Sequence, residues 1–176
     1  MKHIFILFML LAAGKSGWGV KNVSQYRLDE KSEVKIDEHL QGIWKMAEDT
    51  SSHNYFIVEK DGDYGLSLTY MNKHGDNRGL EHWGASFSKV KNTTFLQVPN
   101  WDWNHHGYMF LKINSISTPR SWDVVAQLVV DPTLYKMTSS EEIRAYFERN
   151  LDNPNFYGSE LHFRKKFEFN SFRPSE

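Results

Sequence analysis

Cysteine is absent from this chain of 176 residues. Its absence excludes disulfides, thiolate metal sites, cysteine nucleophiles and a lipid-modified cysteine behind a leader. Charge of one sign is missing as well. The 21 basic and 22 acidic residues leave a formal net charge of -1, so no global field gathers phosphates or an anionic bilayer, and nucleic acid is not an expected partner. Long hydrophobic runs are also lacking: the stretch from Ile4 to Ala13 rises only about 15 Å as a helix, half of a hydrocarbon core. Catalytic signatures are equally scarce. No serine stands in a Gly-x-Ser-x-Gly elbow, and the chain has neither a Gly-rich phosphate loop nor a His-Glu-x-x-His pair. The paired acids Glu141 and Glu142 are explained by a helix start. Neither an enzyme nor a cofactor is expected.

What is present begins with a leader. Met1-Lys2-His3 is a short basic start, Ile4 to Ala13 is continuously apolar, and small residues follow at Gly14, Ser16, Gly17 and Gly19. This pattern predicts a secretory signal peptide over 1–19, cleaved after Gly19 with Gly14 as the alternative. Export to the periplasm or beyond the cell follows from it. Residues 20–38 form a polar arm of alternating charge, expected to be a tether, within which Ser32 to Ile36 could pair as a short edge strand. With 40% hydrophobic and 15% aromatic residues, the remainder supports one core and a single domain over 39–170, followed by a tail over 171–176.

Gly42-Ile43-Trp44-Lys45-Met46 reads as the opening strand. Behind it, Tyr55 to Lys60 and Tyr64 to Tyr70 flank Asp61-Gly62-Asp63 as a hairpin with an Asp-Gly turn, with Tyr64, Leu66, Leu68 and Tyr70 on one face. Further strands are expected over Leu80 to Val90, Phe95 to Val98, Tyr108 to Ile116 and Trp122 to Val130. A last one has Leu161, Phe163, Phe167 and Phe169 on its dry side, interrupted only by Lys165. In Tyr108 to Ile116 the spacing places Met109, Leu111 and Ile113 opposite Tyr108, Phe110 and Lys112. Ser139 to Glu142 fits a capping box, and Ile143, Tyr146, Phe147 and Leu151 have helical spacing up to Asn153-Pro154. Eight strands with one helix before the last suggest a mainly β fold: an antiparallel eight-stranded barrel or strongly curved sheet, because closure removes exposed edges.

Gly42-Ile43-Trp44 resembles the G-x-W signature on the first strand of lipocalin-type barrels. More of the chain, roughly 40–168, resembles an uncharacterised group of small exported bacterial proteins. That group has a Gly-x-Trp start, a succession of hairpins, a helix like Thr138 to Phe147 and a final basic-aromatic strand like Leu161 to Phe167. Two features depart from these patterns: the leader lacks the lipobox cysteine, and the helix precedes the last strand, whereas in lipocalins it follows the eighth. The resemblance implies a barrel-like fold and supplies neither a known ligand nor catalytic residues.

The most unusual composition is Trp101-Asp102-Trp103-Asn104-His105-His106-Gly107-Tyr108, expected between two strands. Its aromatics could stack on a sugar or apolar ligand at a barrel end. Asp102, His105 and His106 could instead hold a divalent metal, but adjacent strand residues face opposite ways, so the two histidines could share an ion only from a loop. In the third reading Trp101 and Trp103 plug the barrel end and the histidines are solvated. His82 and Trp83, with His74, could line the same opening if the turns gather there. Arg164 or Lys165 is expected to stack on Trp44 as a structural closure. The leading expectation is a binding barrel for a small apolar or amphipathic ligand, contacted by Tyr55, Tyr70, His82, Trp83, Trp101, Trp103 and Phe110. The alternative is an interaction module that meets an envelope protein through the helix or the Trp101 to His106 stretch.

Overall fold

Each period-two run has a dry face, and rolling the sheet shut buries all of those faces together. The computed structural model describes residues 23–47, 55–71, 82–102, 105–117 and 123–167. Within them lie β1 (Gly42–Met46), β2 (Tyr55–Asp61), β3 (Gly65–Met71), β4 (His82–Val90), β5 (Thr93–Asp102), β6 (His105–Ser117), β7 (Asp123–Val129) and β8 (Tyr157–Phe167). The strands form a closed antiparallel barrel in chain order. β1 is the seam: Trp44 stands opposite Phe56 on β2 and Lys165 on β8. Gly42 enters that strand with φ 143, a conformation that side-chain-bearing residues rarely adopt. The β2–β3 hairpin closes where expected, with Asp61 opposite Gly65.

Alternation along β6 divides the molecule into two cores. Met109, Leu111 and Ile113 belong to the barrel interior with Trp44, Leu66, Leu68 and Phe87. Phe110 and Tyr108 belong to a second cluster on the outside of the wall, with Val90, Phe95 and Val129. The helix α1 (Ser140–Asn150), the one α-helix among the described residues, covers that outer patch. Its Ile143 and Phe147 are completely buried, and the Phe147 ring stands edge-on to Phe95 at 4.9 Å and to Phe110 at 5.1 Å. The Ser139 hydroxyl accepts the Glu142 N–H at 3.2 Å, as a capping box requires. The Glu142 carboxylate, however, reaches one residue further back than expected and accepts from the Thr138 N–H and hydroxyl.

The polar arm is not a tether. It runs diagonally down the outside of the barrel and is bonded at each step. Ser24 exchanges both backbone hydrogen bonds with Tyr108, at 3.0 and 2.7 Å, on a part of β6 that β7 leaves uncovered, since β7 pairs with β6 only from Leu111 onward. The Leu28 N–H donates to Gln97 Oε1 on β5 at 3.0 Å, the Ser32 hydroxyl donates to the Phe87 carbonyl on β4, and the Ile36 N–H donates to the Asp63 carbonyl in the β2–β3 turn. Arg144 of α1 pairs with Asp29 at 2.5 Å. Residues 32–36 form no edge strand. The arm's own polar groups, which read in the sequence as solvated, find partners on the wall, and among its described residues Val23, Leu28 and Ile36 are buried as apolar anchors.

Candidate binding cavity

An up-and-down meander sends alternate connections to opposite ends of a barrel, and here the two ends differ. At one end the arm becomes a short 3-10 turn, Glu38–Leu40, which plugs the barrel. The Trp44 indole N–H donates to the Leu40 carbonyl at 2.8 Å, and the Lys165 ammonium donates to the His39 carbonyl at 2.7 Å while lying 6.0 Å from the Trp44 ring centre. The stacking expected on Trp44 therefore falls to Lys165. Arg164 turns outward to Asp123 at 2.9 Å. The Asp37 side chain caps the plug, and the His39 N–H it accepts holds its carboxyl below the usual range against a smaller opposing effect of burial.

Above the plug the barrel is not filled. Among the described residues, fourteen apolar side chains line a half-open cavity of about 110 Å³. Leu40 and Trp44 form its floor, and Phe56, Leu68, Phe87 and Phe163 lie around its wall with aliphatic residues of β5, β6 and β7 between them. Among the described lining residues Trp44 carries the one polar group, and Leu40 already satisfies it. A water there would lack the two to four partners that make buried water stable. A charged group would be desolvated without compensation. The arrangement can therefore hold a neutral apolar group by shape and dispersion, and it offers no nucleophile, acid or base to one.

The residues nominated from sequence fare unevenly. Phe110 does not face the interior: it is fully buried on the outside, beneath α1. Tyr55 alternates with the cavity-lining Phe56 and so lies on the outer face. Tyr70, His82, Trp83 and Trp101 lie in strands, Tyr70 opposite Phe56, Trp83 opposite Leu68 and Trp101 opposite His106, and their side chains are outside the described ones. Trp103 and His74 lie outside the described residues altogether. The topology does gather the β1–β2, β3–β4 and β5–β6 connections at the end opposite the plug, which places His82, Trp101 and His105 there. β5 runs to Asp102 and β6 starts at His105, so His105 and His106 are both strand residues.

The sequence reasoning favoured polar aromatics and missed the aliphatic lining at Val58, Leu96, Val98 and Leu111. Counting in twos from Trp44 across the strand pairs would have found Leu111 in place of Phe110. No family model, curated protein or solved structure matches this chain.

Proposed function

We propose that this protein is a non-catalytic, exported container for a small apolar molecule, or for the apolar end of an amphiphile. One observation carries the reading: a half-open cavity of about 110 Å³ inside the barrel, whose described lining is apolar. A somewhat larger engineered void, about 150 Å³, takes up benzene or xenon. The apolar leader of residues 4–13 supports export. The apolar face of α1 packs against Phe95 and Phe110, which leaves the outer, polar face of the helix to the docking alternative.

Benzene and short alkanols, titrated against the folded protein, test the idea by thermal shift and calorimetry. A bound probe at a hundredfold excess over its Kd adds about 2.7 kcal/mol of stability, a shift of several degrees. Ala126→Leu, which fills the void from β7, should abolish the shift while the barrel still unfolds cooperatively. The reading fails if no apolar probe stabilises the wild type and the protein purified from its host carries no small molecule by native mass spectrometry.

A further inference from the structure

The cavity does not extend along the whole barrel. On β1, β4, β6, β7 and β8 the inward residues that line it are Trp44, Phe87, Leu111, Ala126 and Phe163. One inward step further from the plug, the same faces carry Met46, Ala85, Met109, Leu128 and Leu161, which pack in the barrel core without lining the void. These five side chains are the described part of the ring of inward residues next to it. Leu128, Leu161 and Ala85 in this ring are stiff or small, whereas the two methionines are unbranched, with three rotatable bonds and a polarizable sulfur that adapts to irregular neighbours.

At rest the void is smaller than one that takes benzene. It is about two inward steps deep, since β2, β3, β5, β6 and β7 each contribute two lining residues, as Leu66 and Leu68 do, and two such residues span about 7 Å of strand. Anything longer must pass between the side chains of that ring. It must enter as an unbranched apolar segment, because the described floor and walls offer no free polar group to a head. We infer that Met46 and Met109 are the specificity residues of this cavity: their side-chain rearrangement admits the end of a straight alkyl chain and sets how much of it enters. The inference rests on the container reading and adds the ligand class and the residues that select it.

The test is calorimetric titration of the folded protein with straight-chain primary alcohols of increasing length, in the wild type, Met109→Leu, Met46→Leu and Met109→Ala. Affinity in the wild type should rise with chain length and then level off. The volume-conserving leucines, stiffer and branched, should leave the shortest chains unaffected and weaken the longest at least tenfold. Met109→Ala should move the levelling-off point to longer chains. If Met109→Ala does not fold, the two leucine variants decide alone. Wild-type binding of chains with the same length profile in both leucine variants overturns the role of the methionines and leaves the container standing. Binding of benzene but of no alkyl chain overturns the ligand class alone. Binding of nothing removes the container, and this inference with it.

Discussion

Gln97 is where the docking of the arm is most exposed to a single substitution. Its side chain is 1% accessible, accepts the Leu28 N–H at 3.0 Å and donates to the Ser86 hydroxyl at 2.9 Å. Ser86 also accepts from Arg27 at 3.1 Å. Gln97→Met preserves size and removes both bonds. The Leu28 N–H, on a residue 1% accessible, would be left buried without an acceptor, which costs about 1–3 kcal/mol. Ser86 keeps Arg27, so its loss is that of one neutral hydrogen bond, about 0.5–1.5 kcal/mol. The sum, about 1.5–4.5 kcal/mol, is a ceiling, because the arm can lift and let Leu28 reach water at the expense of its apolar contacts. Two measurements separate these outcomes. Urea unfolding reads the global loss, and amide hydrogen exchange reads Leu28 directly. An arm that stays down gives a large drop in stability with slow exchange at Leu28; an arm that lifts gives a smaller drop with fast exchange. A drop below about 0.5 kcal/mol with undiminished protection at Leu28 would refute the assignment of Gln97 as the anchor.

Two further outcomes follow from the same geometry. A Cβ on Gly107 would stand 2.5 Å from the Ser24 carbonyl oxygen, so Gly107→Ala should break the Ser24–Tyr108 exchange of bonds at a cost of about 1–3 kcal/mol; loss of exchange protection at the Tyr108 amide, with the β5–β6 amides unchanged, is the readout. The second concerns pH. Burial, with a smaller contribution from Asp152, pushes the Tyr157 phenol up to about 12 from 10, so the unfolded chain releases this proton first. The associated stability is complete below about pH 10 and is lost as pH rises toward 12, and Tyr157→Phe should flatten the alkaline fall in the urea midpoint. On the acid side, the N–H of His39 lowers Asp37; at Asp131 burial acts upward but is outweighed by the Thr133 N–H and the Tyr146 hydroxyl. Their contribution is present above about pH 4 and fades as pH falls through the lowered values.

The barrel was legible because closure follows from one-faced strands that succeed one another with short turns. Trp44, the Asp-Gly hairpin and the helix with Ile143 and Phe147 on one side all carry strong local signals, and each stands where those signals put it. What misled was β6. Both of its faces are apolar near Phe110, one because it lines the barrel and the other because α1 covers it, so alternation identifies two faces without saying which is inside. The arm misled for a different reason. Ser24, Ser32 and Asp29 are residues that water satisfies equally well, and their partners, Tyr108, the Phe87 carbonyl and Arg144, lie 55 to 115 positions away in the chain for the side-chain bonds. Nothing local marks such pairings.

The two cores have different tasks, and that difference explains how the interior can remain underfilled. By the cavity term alone, an empty space of about 110 Å³ costs about 2–3 kcal/mol, a large part of the stability of a domain of this size. A barrel held together only by its interior would be expected to collapse onto such a void. Here the wall is held from outside. Phe95, Phe110 and Val129 are clamped by Phe147 and Ile143, with Phe156 edge-on to Phe147 at 5.1 Å, and the arm crosses β6, β5 and β4 before it enters the plug. The strands that contribute both inner lining and outer core are therefore fixed in position by contacts that do not involve the cavity. Loosening the outer core should then degrade the cavity before the barrel itself: Phe147→Leu, read by binding of an apolar probe and by global unfolding, should lose probe affinity at temperatures where the sheet is still intact. Equal loss of both would mean that the inner and outer cores are one cooperative unit and that the void is supported by the sheet alone.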